Sequence, residues 1–212
     1  TDITVYAKWA VKTYTATWNT GTGYTITVKR TSSPNGGAAS GNLNSGDKVY
    51  YGDVLSVTYT ANTGYTINTK GSTSITVTRN VTSSDIYATA SVNDYTATWN
   101  AGTNCSIVVK RTSSPLKSAA TGELKSGASV YYGDVLSVTY TANTGHSISS
   151  KGSTSITVTG NVTKDHIYAT ASANSYTYNI VYKSSNGTNL GSSTATYKYG
   201  TTNTITAPAK SG

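Results

Sequence analysis

The sequence predicts an all-β chain: tandem immunoglobulin-like β-sandwich units in an elongated array, with a β-grasp-like unit as the alternative. Three observations carry this. The segment YYGDVLSVTYTANTG at Tyr50–Gly64 returns unchanged at Tyr131–Gly145. Tyr14–Asp94 overlays Tyr95–Ser175 without a gap, with roughly 58 identities in 81 positions, so the chain holds two copies of one unit. About a third of the residues are Thr or Ser and 18 are Tyr, with no Phe, Met or Gln, which suits pleated, half-buried strands better than helices.

Within a unit the apolar residues alternate with polar ones, the period of a strand with one face covered. In YTATWN, Tyr14, Ala16 and Trp18 share a face. In YTITVKR, Tyr24, Ile26 and Val28 face one way, and Thr25, Thr27 and Lys29 the other. In DVLSVTYTA, Leu55, Val57, Tyr59 and Ala61 oppose Val54, Ser56, Thr58 and Thr60. Ile75 and Val77, then Ile86, Ala88 and Ala90, supply the last strands, giving five to seven per unit. Asn19–Gly23, Gly52–Val54 and Asn62–Gly64 have the Asn and Gly content of tight turns. The longest connector, Ser32–Asp47, reads as a polar loop that varies between copies. The stretches Ser91–Asp94 and Ser172–Ser175 read as four-residue linkers, too short for slack, and predict a semi-rigid rod.

The ends do not match the repeat. TDITVYAKWA, with Tyr6-Ala7-Lys8-Trp9, resembles the closing strand of the internalin B-repeat family, the Listeria–Bacteroides repeat. The tail, YNIVYKSSNGTNLGSSTATYKYGTTNTITAPAKSG, resembles the opening of the same family, with a strand–Asn-Gly–strand start and YGTTNTITAP at Tyr199–Pro208. YGDVLSVTYTANTGY at Tyr51–Tyr65 is similar to a core pattern of bacterial extracellular repeat modules. The resemblance implies four segments: 1–13 ending one internalin-type repeat, 14–94 and 95–175 as the two β-repeat units, and 176–212 opening another. It further implies a piece of a Gram-positive cell-surface or secreted protein, serving as a stalk with weak adhesion. Its partners would be the cell wall, a glycan, a host surface protein or neighbouring repeats in the same chain. A carbohydrate- or protein-binding module and a phage virion fibre are the alternatives.

Net charge is +8, divided as +1 over residues 1–13, +1 and +3 over the two units and +3 over the tail. That scatter argues against a nucleic-acid partner, which wants a concentrated basic stripe. No stretch has the length and apolarity of a membrane-spanning helix.

Residues capable of chemistry are few. Cys105 and His146 stand where the first copy has Tyr24 and Tyr65, a paired change suggesting that the two positions touch. His166 replaces Asp85. Because the first copy lacks all three, repacking is the expected role, and neither a metal site nor a nucleophile is predicted. Asp53 and Asp134 are the acids kept in both copies, one per unit, too few for paired-carboxylate catalysis and suited to binding turn amides. A Lys–Asn isopeptide would draw on Lys29 or Lys70 with Asn62 or Asn80, or on Lys110, Lys151, Asn143 and Asn161, but it needs an inward acid that the alternation does not provide. Asn80, Asn104, Asn161 and Asn186 fit the glycosylation acceptor pattern, which a bacterial source leaves unused. Trp18 and Trp99 alternate with apolar neighbours and belong in the core. The expected contact surface is Tyr50, Tyr51, Tyr131 and Tyr132, where a Tyr-Tyr pair on a strand sends one ring to each face. No enzyme activity and no cofactor are expected.

Overall fold

The computed structural model of the chain describes residues 3–206. It is all-β and sandwich-like, with no helix among those residues. The chain divides into two compact units, Thr1–Asn93 and Asp94–Gly212. The first contains β1 (Thr13–Ala16), β2 (Tyr24–Ser32), β3 (Gly41–Leu43), β4 (Asp47–Tyr50), β5 (Val54–Ala61), β6 (Tyr65–Lys70), β7 (Ser74–Thr76) and β8 (Ala88–Val92). The second repeats the series as β9 (Asp94–Ala97), β10 (Cys105–Ser113), β11 (Gly122–Leu124), β12 (Ala128–Tyr131), β13 (Val135–Ala142), β14 (His146–Lys151), β15 (Ser155–Thr157) and β16 (Ala169–Ala173). A hairpin of β17 (Ser175–Lys183) and β18 (Asn189–Lys198) follows, turning at Asn186 and Gly187, where φ is +84°.

In the first unit β2 and β5 pair antiparallel at the centre of a four-stranded sheet, flanked by β3 and β7. Two separate antiparallel pairs, β1–β4 and β6–β8, complete the unit. The second unit repeats this order strand for strand. An immunoglobulin constant-type sheet would flank the central pair with the first and fourth strands. Here the flanking strands are the third and seventh, so the resemblance to that fold ends at its all-β, sandwich-like character.

Burial follows the alternation. Leu55, Val77 and Ile86 are fully buried, and Ala16, Trp18, Val28, Val49, Val57 and Val81 join them in one core. Each large aliphatic side chain in such a core contributes about 1.5–3 kcal/mol over leaving it in water. Val109, Val130, Leu136, Val158 and Ile167 build the matching core of the second unit, with Trp99 half-buried against it. Both tryptophans therefore pack as their spacing predicts.

Two expectations are corrected. The Ser32–Asp47 connector is not one loop: Gly41–Leu43 forms β3, which pairs with Val28–Arg30 of β2. Its backbone finds a ladder partner although only Leu43 among its residues is large and apolar, so each unit has eight strands. The four-residue linkers are also absent. β8 runs to Val92 and β9 starts at Asp94, leaving Asn93 alone between them. Its N–H donates to Gly64 O at 2.8 Å and its Oδ1 accepts from Thr66 Oγ1 at 2.6 Å. Asn174 repeats both bonds with Gly145 and Ser147.

At the ends, residues 3–12 form no strand, and Ile3, Val5, Tyr6 and Trp9 are exposed. A strand needs a neighbour to satisfy its backbone, and the unit offers this stretch one such bond, from Tyr51 N–H to Lys12 O at 2.9 Å. Thr1, Asp2 and the Ala207–Pro208 end of the second resemblance lie outside the described residues.

The change at Tyr65 goes with the residue at position 23. Gly23 has φ +85°, and a Cβ there would strike the Tyr65 ring. In the second copy that ring is replaced by His146, and Asn104 occupies the glycine position at φ 56°. Gly23→Asn alone is therefore expected to destabilise the first unit, and adding Tyr65→His to recover part of the loss. Urea unfolding of the two variants measures this.

Candidate functional site

The most elaborate polar constellation is a buried ion pair present once per unit. The sequence places Arg30 two residues beyond Val28, on the inward face of β2. Asp53 is the last residue of the turn Tyr50–Asp53, closed by Asp53 N–H donating to Tyr50 O at 3.0 Å, with Gly52 at φ +87°. A positive φ at the third residue is what a type II turn requires. Asp53 is fully buried and Arg30 is 8% exposed.

Arg30 Nε donates to Asp53 Oδ2 at 2.8 Å, and its Nη2 donates to Lys48 O at 2.6 Å. Tyr50 N–H donates to the same Oδ2 at 3.0 Å, and Ser33 Oγ donates to Oδ1 at 2.5 Å. A β-bulge between Arg30 and Ser32 makes the last contact possible. Strict alternation would put Arg30 and Ser33 on opposite faces; one extra residue brings both to the acid. The expectation that Asp53 binds turn amides holds. The expectation that no acid faces inward does not.

Arg111 and Asp134 repeat the pair at 2.7 Å, with Arg111 Nη2 on Ser129 O at 2.5 Å and the same bulge. The second copy differs in one respect. Ser114 Oγ and Asp134 Oδ1, which match the bonded Ser33 and Asp53 atoms, are buried without partners, while Arg111 Nη1 gains Ala120 O at 3.1 Å.

This constellation ties the end of β2 to the turn after β4. Both carboxylates are fully buried, each against an arginine of the same unit. Lys29, Lys70, Asn62 and Asn80 are exposed, as are Lys110, Lys151, Asn143 and Asn161. The inward acid is thus matched with arginine and not with a lysine that could be acylated. Asn80 and Asn161 act instead as bridges, accepting the N–H of Thr15 and Thr96 at 3.1 and 3.0 Å.

Cys105 is buried with Ala169 and Ala171, against Ile107, Tyr140 and Ile148. His146 lies on β14, outside the sheet of β10, so the two positions are not cross-strand partners. Its Nδ1 lies 3.0 Å from Thr144 O, and its ring meets Tyr199 edge-on at 5.8 Å. His166 is exposed, and its Nδ1 accepts the Thr163 N–H at 3.1 Å. No cluster of three metal-ligating side chains occurs among the described residues.

His166 has a clear counterpart. In the first unit Asp85 accepts two bonds from Arg79, at 2.7 and 2.9 Å, and the Thr82 N–H at 3.0 Å. The Arg79 hydrogen bonds, chiefly, hold the Asp85 carboxyl below the usual carboxylate range. Gly160 replaces that arginine in the second unit. A lowered folded-state pKa stabilises above the unfolded value, near 4 for Asp, and the gain disappears as pH falls through the folded value. Arg79→Gly should therefore lower first-unit stability more at pH 7 than at pH 2. Urea midpoints at the two pH values check this.

The four tyrosines proposed as a contact surface do not behave alike. Tyr50 ends β4 and Tyr51 lies in the turn, so the two do not straddle a strand. Tyr50 is half-buried beneath Lys48, whose Nζ sits 5.2 Å from the ring centroid. Tyr131 lies between Arg111 and Lys117, at 5.6 and 5.4 Å. Tyr132 is half-buried, and Tyr51, 47% exposed, is the most open of the four. Tyr59, on the inward face of β5, and Tyr140, its counterpart on β13, tie down backbone through their hydroxyls, donating to Ser72 O and Ser153 O at 3.0 and 2.8 Å. Burial, above all, raises both phenol pKa values.

No family model, curated protein or solved structure matches the chain.

Proposed function

We propose that the chain is a non-enzymatic structural segment of a bacterial cell-surface or secreted repeat protein, working outside the cell as a stalk or spacer. The observation that carries this reading is what the two copies keep. They share the apolar core, the turn glycine before the acid, the bulge, and the Arg30–Asp53 pair with its counterpart Arg111–Asp134. They do not share Cys105, His146 or His166, and each of those is engaged in local packing or turn bonding. Duplication that preserves what stabilises a unit, and lets potentially reactive side chains come and go, suits a load-bearing role. The resemblance of the ends to internalin B-repeats points to the same setting.

Pulling the chain by its ends in a single-molecule experiment tests the proposal. Two unfolding events are expected, each releasing about 81 residues, or about 270–290 Å of contour less the folded span. Smooth extension without discrete events would remove the mechanical reading.

A further inference from the structure

The hairpin β17–β18 begins as each repeat unit begins. Ser175 pairs with Lys198 as Thr13 pairs with Tyr50 and Asp94 with Tyr131. A tyrosine and a glycine follow in all three: Tyr51-Gly52, Tyr132-Gly133 and Tyr199-Gly200, with the glycine φ at +87°, +83° and +77°. The tyrosine N–H reaches back to the residue before the first strand, from Tyr51 to Lys12 O at 2.9 Å and from Tyr199 to Asn174 O at 2.8 Å. In the hairpin this open end is docked. The turn Asn143–His146 is closed by His146 N–H donating to Asn143 O at 3.0 Å, with Gly145 at φ +73°. The Tyr199 ring lies so close over Gly145 that a Cβ there would strike it, and the His146 ring meets it edge-on at 5.8 Å. Asn174 ties the parts together. Its N–H donates to Gly145 O at 2.8 Å, its Oδ1 accepts from Ser147 Oγ at 2.7 Å, and its carbonyl takes the Tyr199 N–H. A two-stranded hairpin is marginal in water by itself, so this contact gives β17–β18 a body to rest on.

We infer that the Asn143–His146 turn, with Asn174, is a coupling site for a further module, and that the partner it takes is a strand pair ending on a Tyr-Gly turn. Gly145 makes the site selective, because only a residue without a Cβ leaves room for the ring. An aromatic at position 146 supplies the edge-to-face contact that such rings favour. The first unit carries the same elements: Gly64 at φ +81°, Tyr65 where the second has His146, and Asn93 with the bonds to Gly64 O and Thr66 Oγ1. The open end by which the hairpin docks is the same on the repeat units, so the site takes either kind of module. This deepens the stalk reading, since a docked joint sets the direction from one module to the next. It rests on that reading for its use alone, and the test below can fail while the pulling experiment succeeds.

Nitrogen-15 relaxation and amide exchange on the whole 212-residue chain test the inference. In the parent, the amides of β17 and β18 should share the tumbling of β10 and β13. Tyr199→Ala should release the hairpin, read as faster motion of its amides and about tenfold faster exchange at position 199. Tyr199→Phe, which keeps the ring, should behave as the parent does. Gly145→Ala changes no hairpin residue and should release the hairpin all the same, with β10 and β13 still protected. Tyr51→Ala, in the first unit, should leave the hairpin coupled. A hairpin that moves apart from the second unit in the parent, or one that stays coupled in both Tyr199→Ala and Gly145→Ala, would overturn the inference.

Discussion

Replacing Arg30 with methionine will lower the stability of the first unit by about 3–5 kcal/mol, because Asp53 is left charged and sealed from water. The cost arises from the orphaned carboxylate more than from the lost attraction. Asp53 has no exposed surface through which water could replace the guanidinium. Asp53→Leu should cost a similar amount by stranding Arg30. The double variant should recover much of the loss, since an apolar pair of similar volume needs no solvation. Recovery will be incomplete: Tyr50 N–H and Ser33 Oγ both lose their acceptor, and an unpaired buried donor costs about 1–3 kcal/mol. Urea unfolding of the single and double variants supplies the cycle. Additive losses would mean that the two charges do not stabilise each other.

Leu55→Ala is expected to cost about 2–5 kcal/mol, the range for a buried leucine whose cavity cannot fully collapse. Leu55 is fully buried on β5, opposite Ile75 of β7 and Arg30 of β2, so the void opens between the central sheet and the rest of the core. Leu136→Ala should cost a similar amount in the second unit, where Leu136 occupies the same register against Arg111 and Ile156. Each substitution acts on the core in which it sits, so a thermal scan of either variant should show one shifted transition and one in place. Losses that moved both transitions together would contradict two separate cores.

Much of the unit was legible in the sequence, and what was missed has physical reasons. Alternation identified Leu55, Val57, Val28 and Trp18 as core because one face of each strand is buried and the pattern has the right period. The same alternation, carried one step past Val28, places Arg30 inward. A charge at the end of an apolar run reads as a strand end, and only the retained Asp53 could have signalled its partner. The bulge that brings Ser33 to the acid leaves no mark in an alternation count. β3 escaped notice because Gly41-Asn42-Leu43 is held by backbone pairing and has no propensity of its own. Asn93 and its polar neighbours read as a linker because their backbone bonds, not their side chains, extend β8 and β9. Nothing in the pattern around Tyr6–Trp9 distinguishes a covered strand from the exposed segment that residues 3–12 form.

The central claim is that each 81-residue copy is a complete fold whose stability is its own. Hydrogen exchange on residues 12–93 produced alone tests this most directly. Slow amides on β2 and β5, protected as strongly as in the 212-residue chain, are the predicted result. Exchange within seconds at Val28, Leu55 and Val57 in the isolated segment would contradict it.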